Sequence, residues 1–384
     1  MAAPIFISDY AIACALGMDK ASVAAALFAP SPAPLSNAAL LVDGRSVPVA
    51  RLARPVEHPH GETHCNRIVA HCIEALAGEI ESVKGRFGPE RLGVVIGVTT
   101  SGIGEGTEAL HRRMQSESWP EEFSMAPQQL GDTARFAAQF SGARGPCYSV
   151  STACTSGARA IAAAARLIRA DLCDAVLCGG ADSLCSLTLN GFAALESLSS
   201  SLCNPLSLNR DGLNLGEGGA LFLLTRAPGP FRVAGWGGSV DGHHISAPDP
   251  SGRGAEAAMS SALQMAKMKP TDIDFVHLHG TATRLNDHME AQVIERLLGL
   301  ETPCASTKPL TGHTLGAAGA IQAALCLMGL EHGKLPPHLW DGVRDPEIPD
   351  IRLARPGERT ELRRVLSASY AFGGNNAALV LADA

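Results

Sequence analysis

The sequence predicts an α/β protein of layered sheets and helices, assembled from two similar halves. Two observations carry that expectation. Short apolar runs alternate with Ala-rich stretches of helical period, the pattern of strands covered by helices. An internal echo then repeats one strand–loop–helix unit. Residues 146–161 (PCYSVSTACTSGARAI) parallel 303–321 (PCASTKPLTGHTLGAAGAI), and 93–102 (GVVIGVTTSG) parallel 274–283 (DFVHLHGTAT). The separation of about 160–180 residues is that of a duplicated half, not of a short-period solenoid.

The elements follow in order. The runs 93–98, 175–178 and 275–278 read as buried strands, being short and apolar. Helical period is carried by 67–80, 158–170, 255–266, 287–298 and 317–327. The Pro/Ala-rich stretch 29–35 and the polar stretch 58–63 read as surface loops, too short for linkers. The halves are placed at 1–229 and 230–384.

Composition sets the outer limits. The chain has 384 residues, 46% hydrophobic, 18% charged and 4% aromatic, which excludes a disordered or fibrous protein. A net charge of −7 offers no electrostatic case for nucleic acid or an anionic membrane. Eleven cysteines without a C-x-x-C read as small buried hydrophobes of a reducing compartment, with room for one reactive thiol. Asp9 sits where a signal peptide would be apolar, and no basic leader precedes it. The uncharged stretch 309–330 is long enough to span a bilayer, yet contains Thr311, His313, Thr314, Gln322 and four glycines. It reads as a buried helix, and the chain as a cytoplasmic globular protein with no membrane span.

The chemistry-bearing candidates are few. Cys154, in V-S-T-A-C-T-S-G, lies between a strand-like 148–151 and a helix beginning near Thr155. Two readings stand: one more buried thiol, or a nucleophile activated at a helix N-terminus. His277 and His279 share one face of a strand, and so have the form of half a metal site, but lack an acidic or cysteine ligand at suitable spacing. His313 opens a glycine-rich helix as Cys154 opens its counterpart, which places both near the pseudo-twofold axis. Three further features are weaker: the loop 102–106, loosely like a phosphate loop but without its lysine; His243-His244 on a turn; and 371–376 (AFGGNN), a tight loop able to present backbone N–H groups.

Taken together, S-T-A-C-T-S-G, H-G-T-A-T-x-x-x-D-x-x-E, S-T-K-x-x-x-G-H-x-x-G-A-A-G and S-Y-A-F-G-G-N-N, in that order, resemble the β-ketoacyl-acyl-carrier-protein synthases of the thiolase superfamily. Residues 179–199 and 306–319 resemble most the ketosynthases of bacterial aryl-polyene clusters. The resemblance implies a five-layer αβαβα sandwich of two halves, the first carrying the nucleophile and the second two histidines. It implies that Cys154 takes the acyl chain, its pKa lowered by the helix so that no dedicated base is needed. Backbone N–H groups of Cys154 and Phe372 would form the oxyanion hole, with Phe372 also the gate. His279 and His313, both neutral, would hold the enolate of a decarboxylating malonyl extender. Lys308 and its acidic partner Glu290 would order the loops beneath them, while Thr281 and Thr283 would hydrogen-bond the pantetheine arm.

The same resemblance implies an acyl carrier protein as partner, and a homodimer or a heterodimer with a homologous subunit. It implies no metal and no resident cofactor, since the phosphopantetheine arrives on the substrate. Two positions depart from the family pattern. Ser207 stands where an acidic residue is common, leaving the local hydrogen bonding open, and Ala371 replaces a glycine before the gate. Against a thiolase stands the absence of a cysteine after Cys326. Against a non-catalytic chain-length partner stands the retention of Cys154, His279, His313 and Lys308. Against a hydrolytic Cys–His enzyme stands the lack of an orienting Asn or Asp motif.

Overall fold

The computed structural model describes residues 4–33, 35–58 and 61–384. Residue 34 of the loop expected at 29–35, residues 59–60 of that at 58–63, and residues 1–3 lie outside it.

Among the described residues, twelve strands follow in chain order: β1 (Phe6–Ala13), β2 (Asn37–Leu40), β3 (Ser46–Val49), β4 (Leu92–Gly97), β5 (Cys147–Val150), β6 (Ala175–Asp182), β7 (Gly218–Thr225), β8 (Phe231–Val240), β9 (Phe275–His277), β10 (Cys304–Ala305), β11 (Arg364–Ala371) and β12 (Asn375–Asp383). β2 and β3 form a separate hairpin, which the sequence did not announce.

The other ten make one hydrogen-bonded array, β10-β9-β11-β12-β8-β1-β7-β6-β4-β5. It is two five-stranded sheets joined at an edge, because β1 and β8 share only the pairs Phe6↔Arg232 and Ile7↔Phe231. Within each set the third strand lies outermost, then the second, fourth, fifth and first. The directions also repeat. In the first set β5, β4 and β6 are parallel and β6, β7 and β1 antiparallel. In the second, β10, β9 and β11 are parallel and β11, β12 and β8 antiparallel. The first set ends at Thr225 and the second begins at Phe231.

Each sheet is covered on both faces, so strands such as β4, β6 and β7 are buried along their whole length. Val95 and Phe222 face an inner core together with Ile161, Ile321 and Leu379. Their neighbours Val94, Ile96, Leu221 and Leu223 face an outer core on the first sheet. Val380 faces the corresponding outer core on the second. Helices Ser156–Arg169 and Ala318–His332 pack on each other between the sheets, while His64–Ala75 and Asp132–Ser141 cover the first sheet and Arg253–Ala266 the second. The result is a five-layer αβαβα sandwich. Residues 315–332, apolar enough by length and composition to cross a membrane, form that central helix and the turn leading into it, and 83% of them are buried. A helix enclosed by other elements needs no polar face.

The helix expected over 67–80 is two, His64–Ala75 and Ala77–Phe87. The chain breaks at Leu76 (φ −102°, ψ 3°), whose side chain is buried. Hydrophobic period continues through the break because both helices pack against the same outer core.

Candidate active site

The two central helices meet at their N-terminal ends through small residues. A Cβ on Gly157 would lie 2.8 Å from the Ala320 nitrogen and 3.0 Å from the Gly316 oxygen, and one on Gly319 would lie 2.9 Å from the Ala158 nitrogen. Backbones approaching this closely bring together the loops that precede the helices. In the first loop β5 turns sharply at Ala153, a non-glycine residue at φ +50°, and presents Cys154 two residues before the helix. The Ser156 hydroxyl fixes the turn, accepting from the Thr152 N–H (2.9 Å) and donating to the Ala153 carbonyl (2.6 Å). In the second loop the His313 N–H donates to the Asn214 carbonyl (2.7 Å), and its own carbonyl accepts from the Gly216 N–H (3.0 Å). His313 Nε2 then lies 2.9 Å from Cys154 Sγ.

His279 follows β9 and stands edge-on to His313, ring centroids 5.3 Å apart, and to Tyr370 at 5.8 Å. Its peptide is held from both sides. Glu290 Oε1 accepts from the His279 N–H and Oε2 from the Gly280 N–H, each at 2.7 Å. Lys308 Nζ donates to the His279 carbonyl. The lysine and glutamate therefore meet through the backbone of His279 and form no direct ion pair. Both are buried. Burial raises the Glu290 carboxyl and lowers the Lys308 ammonium, each charge partly offsetting the other's shift.

Cys154, His279, His313, Thr281, Thr283 and Phe372 line one cavity of about 270 Å³. The Thr281 and Thr283 hydroxyls are 2.9 Å apart. Phe372 stacks on Phe192 at 5.5 Å, and the Gly373 N–H after it donates to the Ile245 carbonyl (2.7 Å). His277 does not enter the cavity. Its Nε2 meets the Thr307 hydroxyl (3.1 Å) and its Nδ1 the Gln322 amide (3.0 Å), so it supports the loops from behind. Among the described residues no group of three His, Cys, Asp or Glu side chains forms a metal site.

One electrostatic expectation is overturned. Burial pushes the Cys154 thiol up to about 12; Lys308 pulls it down and Asp182 pushes it further up. The first N–H groups of the helix are also engaged locally, Thr155 with the Thr152 carbonyl and Ser156 with that of Ala153, instead of pointing at sulfur. At rest Cys154 is therefore a thiol, not a thiolate. Burial, then Lys308, holds both His279 and His313 well below the ordinary histidine value, so both rings are neutral. The Nδ1 atoms of both rings are buried without a partner.

The departures at Ser207 and Ala371 leave no gap. Ser207 Oγ donates to Asp341 (2.8 Å), and Arg210 pairs with buried Asp345 (2.6 Å), so acids from another segment supply what the motif lacks. Ala371 is extended at φ −146°, a conformation open to any residue. Sequence reading missed Asp182, fully buried at the end of β6, and Tyr370 behind His279. An acid closing an otherwise apolar strand (AVLCGGAD) was the available signal for Asp182.

A neutral imidazole touching a buried thiol, with a second neutral imidazole beside it on a duplicated αβαβα fold, is a thiol–imidazole centre. Residues 71–228 match the N-terminal domain and 231–340 the C-terminal domain of β-ketoacyl synthases. The tetracenomycin polyketide synthase ketoacyl synthase alpha subunit of Streptomyces glaucescens is 33% identical over 320 residues, covering 77% of this chain and 75% of that protein. The 3-oxoacyl-[acyl-carrier-protein] synthase 2 of Staphylococcus aureus is 31% identical over 313 residues, 76% and 77% of the two chains. A chain of the complex of ketosynthase ApeO with its chain length factor ApeC, from Xenorhabdus doucetiae, superposes with a TM-score of 0.95 at 38% identity, covering 100% of this chain and 98% of that one. The chain belongs to the β-ketoacyl synthase family of condensing acyltransferases.

Proposed function

We propose that the protein is an active β-ketoacyl-acyl-carrier-protein synthase, extending a fatty-acid- or aryl-polyene-type chain by two carbons. The observation that carries this reading is the 2.9 Å approach of His313 Nε2 to Cys154 Sγ inside a cavity shared with His279. Sulfur attacks the acyl thioester as its proton passes to His313, and the carrier thiolate leaves with that same proton, returning His313 to its neutral form. Backbone N–H groups of Cys154 and Phe372 serve the tetrahedral oxyanion. A malonyl thioester then loses carbon dioxide, its enolate oxygen held by N–H groups of His279 and His313. The carbanion forms the new C–C bond at the acyl carbonyl as the C–S bond to Cys154 breaks, and the released thiolate takes up a proton from solvent to restore the thiol.

Lys308 and Glu290 act by fixing the His279 peptide. Thr281 and Thr283, in the same cavity, receive the pantetheine amides. The side chains at hand supply nucleophile, proton acceptor and oxyanion donors, so the reaction calls for no resident metal or organic cofactor. The phosphopantetheine belongs to the carrier protein. All eleven cysteines are unpaired, which fits a reducing cytoplasm.

The named complexes of relatives pair a ketosynthase with a chain length factor or a carrier protein. A homologous subunit fits the edge strand β5, where Cys147 and Tyr148 are exposed. A heterodimer of this kind is favoured over a homodimer. The second reading, a non-catalytic chain-length subunit, has only these complexes in its favour, and the intact Cys154–His313 contact opposes it.

Intact mass after incubation with acyl-loaded carrier proteins tests the proposal. One acyl mass added to wild type and none to Cys154→Ala is expected, and the preferred acyl group separates fatty-acid from polyene duty. Failure to acylate from every donor, with the homologous subunit present, would overturn it.

A further inference from the structure

Asp182 lies outside the catalytic set, yet ties together the two loops on which that set depends. Its Oδ1 accepts from the N–H groups of Thr99 (2.9 Å) and Thr100 (2.8 Å) and from the Thr100 hydroxyl (2.7 Å). Its Oδ2 accepts from the Thr99 hydroxyl and the Gly316 N–H, both at 2.6 Å. Four donors come from the loop after β4, and the fifth comes from the other half, three residues beyond His313. Burial raises the Asp182 carboxyl above its ordinary value and the Thr99 and Thr100 bonds pull it back down; three of the five donors are backbone N–H groups, which only acceptor oxygens can satisfy.

The fit at Gly316 is tight. A Cβ there would stand 2.6 Å from Oδ2, and the preceding Leu315 holds φ +51°, a conformation unfavourable for leucine. The Asp182–Gly316 bond pins that strained turn and thereby the height of His313 above Cys154.

We propose that Asp182 is a positioning residue for the thiol centre: its carboxylate clamps the His313 loop to the first half and sets the field in which Cys154 loses its proton. The clamp is an ion–amide bond across the two halves, and its anion is the negative charge that opposes the thiolate. Orientation and charge therefore act in opposite directions on reactivity. Removing the charge frees the thiol to ionise while loosening its proton acceptor. The catalytic part of this inference rests on the condensing-enzyme reading; the clamp and its charge effect do not.

The test uses Asp182→Asn and Thr100→Val beside wild type, each compared by circular dichroism. The rate of Cys154 alkylation by iodoacetamide is followed from pH 6 to 10, without any carrier protein. Condensation kcat and KM are measured separately. For Asp182→Asn the alkylation curve should move to lower pH by about one unit, and kcat should fall about 100-fold with KM nearly unchanged. Thr100→Val keeps the charge and loses one donor, so its alkylation curve should stay in place or move up while kcat falls several-fold. An unmoved alkylation curve in a folded Asp182→Asn protein would overturn the charge role. Near-wild-type kcat in that variant, or in Thr100→Val if the first does not fold, would overturn the clamp. Because alkylation needs no substrate, failure of the condensing reading would leave the charge result intact.

Discussion

The two halves share one strand order and one set of directions, yet hold different parts of the chemistry. Both also kink at corresponding places. Ala153 (φ +50°) lies three residues before helix Ser156–Arg169, and Leu315 (φ +51°) three before helix Ala318–His332. Ser101 (φ +44°) and Ala282 (φ +63°) each stand two residues before the helices Ile103–Ser116 and Arg284–Leu298. The structural counterpart of Cys154 is therefore Gly316, and that of His313 is Ser151, so the sequence pairing of Cys154 with His313 as equivalent helix openers does not hold. Duplication supplied two similar cradles; function followed from filling them unequally. The first half gives a buried thiol on a tight turn, and the second gives two neutral imidazoles and the lysine beneath them. The asymmetry is useful because a condensing site needs one attacking atom and several donors converging on it.

The largest expected effects come from breaking that division of labour. His313→Ala removes the imidazole in contact with sulfur and, if that ring accepts the thiol proton as proposed, should lower transacylation about 10²–10⁴-fold. His279→Ala should spare transacylation and lower condensation about 10²–10³-fold, as loss of an oxyanion donor does. Separate single-turnover assays of the two steps check this. Equal losses in both steps for both variants would show that the histidines do not divide the work.

Next in size is the contact that joins the halves. Gly157→Val places a branched side chain against the Ala320 nitrogen and Gly316 oxygen, where only glycine leaves room. A loss of about 1–3 kcal/mol in unfolding free energy is expected, with activity falling as the helices separate. Denaturant unfolding measures it, and an unchanged midpoint would mean that the crossing leaves room for the larger side chain.

The smallest effect concerns a support beneath the second half. His338 Nδ1 accepts from the Ser306 N–H (3.0 Å) and its Nε2–H donates to the Pro205 carbonyl (3.0 Å), which fixes a neutral tautomer. Burial lowers it to about 4. Its value in the unfolded chain is higher, so below about pH 6.5 the unfolded chain takes a proton that the folded one refuses. Stability from this group is present above that pH and lost as pH falls towards 4. In His338→Asn the slope of stability against pH should be shallower by about 1.4 kcal/mol per pH unit in that window, whatever the variant's absolute stability. Thermal melts from pH 7 to 5 read the slope, and parallel curves would refute the assignment.

The sequence by itself determined the fold class, the strands β4, β6 and β9, the buried central helix and the chemical roster. Those features are local. An apolar run bounded by small residues makes a strand, and an unbroken apolar period makes a buried helix. Cys154, His279 and His313 stood out because thiol and imidazole chemistry requires those residue types among Gly and Thr. Tertiary structure decided the rest. It split the helix expected at 67–80, closed the shell around Ser207 with acids more than a hundred residues away, and joined Glu290 to Lys308 only through the His279 peptide. It also turned the expected thiolate into a thiol. A motif places a cysteine beside a helix start, but the proton affinity of its sulfur is set by how much water is removed and which charges remain. Both depend on chain segments that meet only when the two halves close on each other.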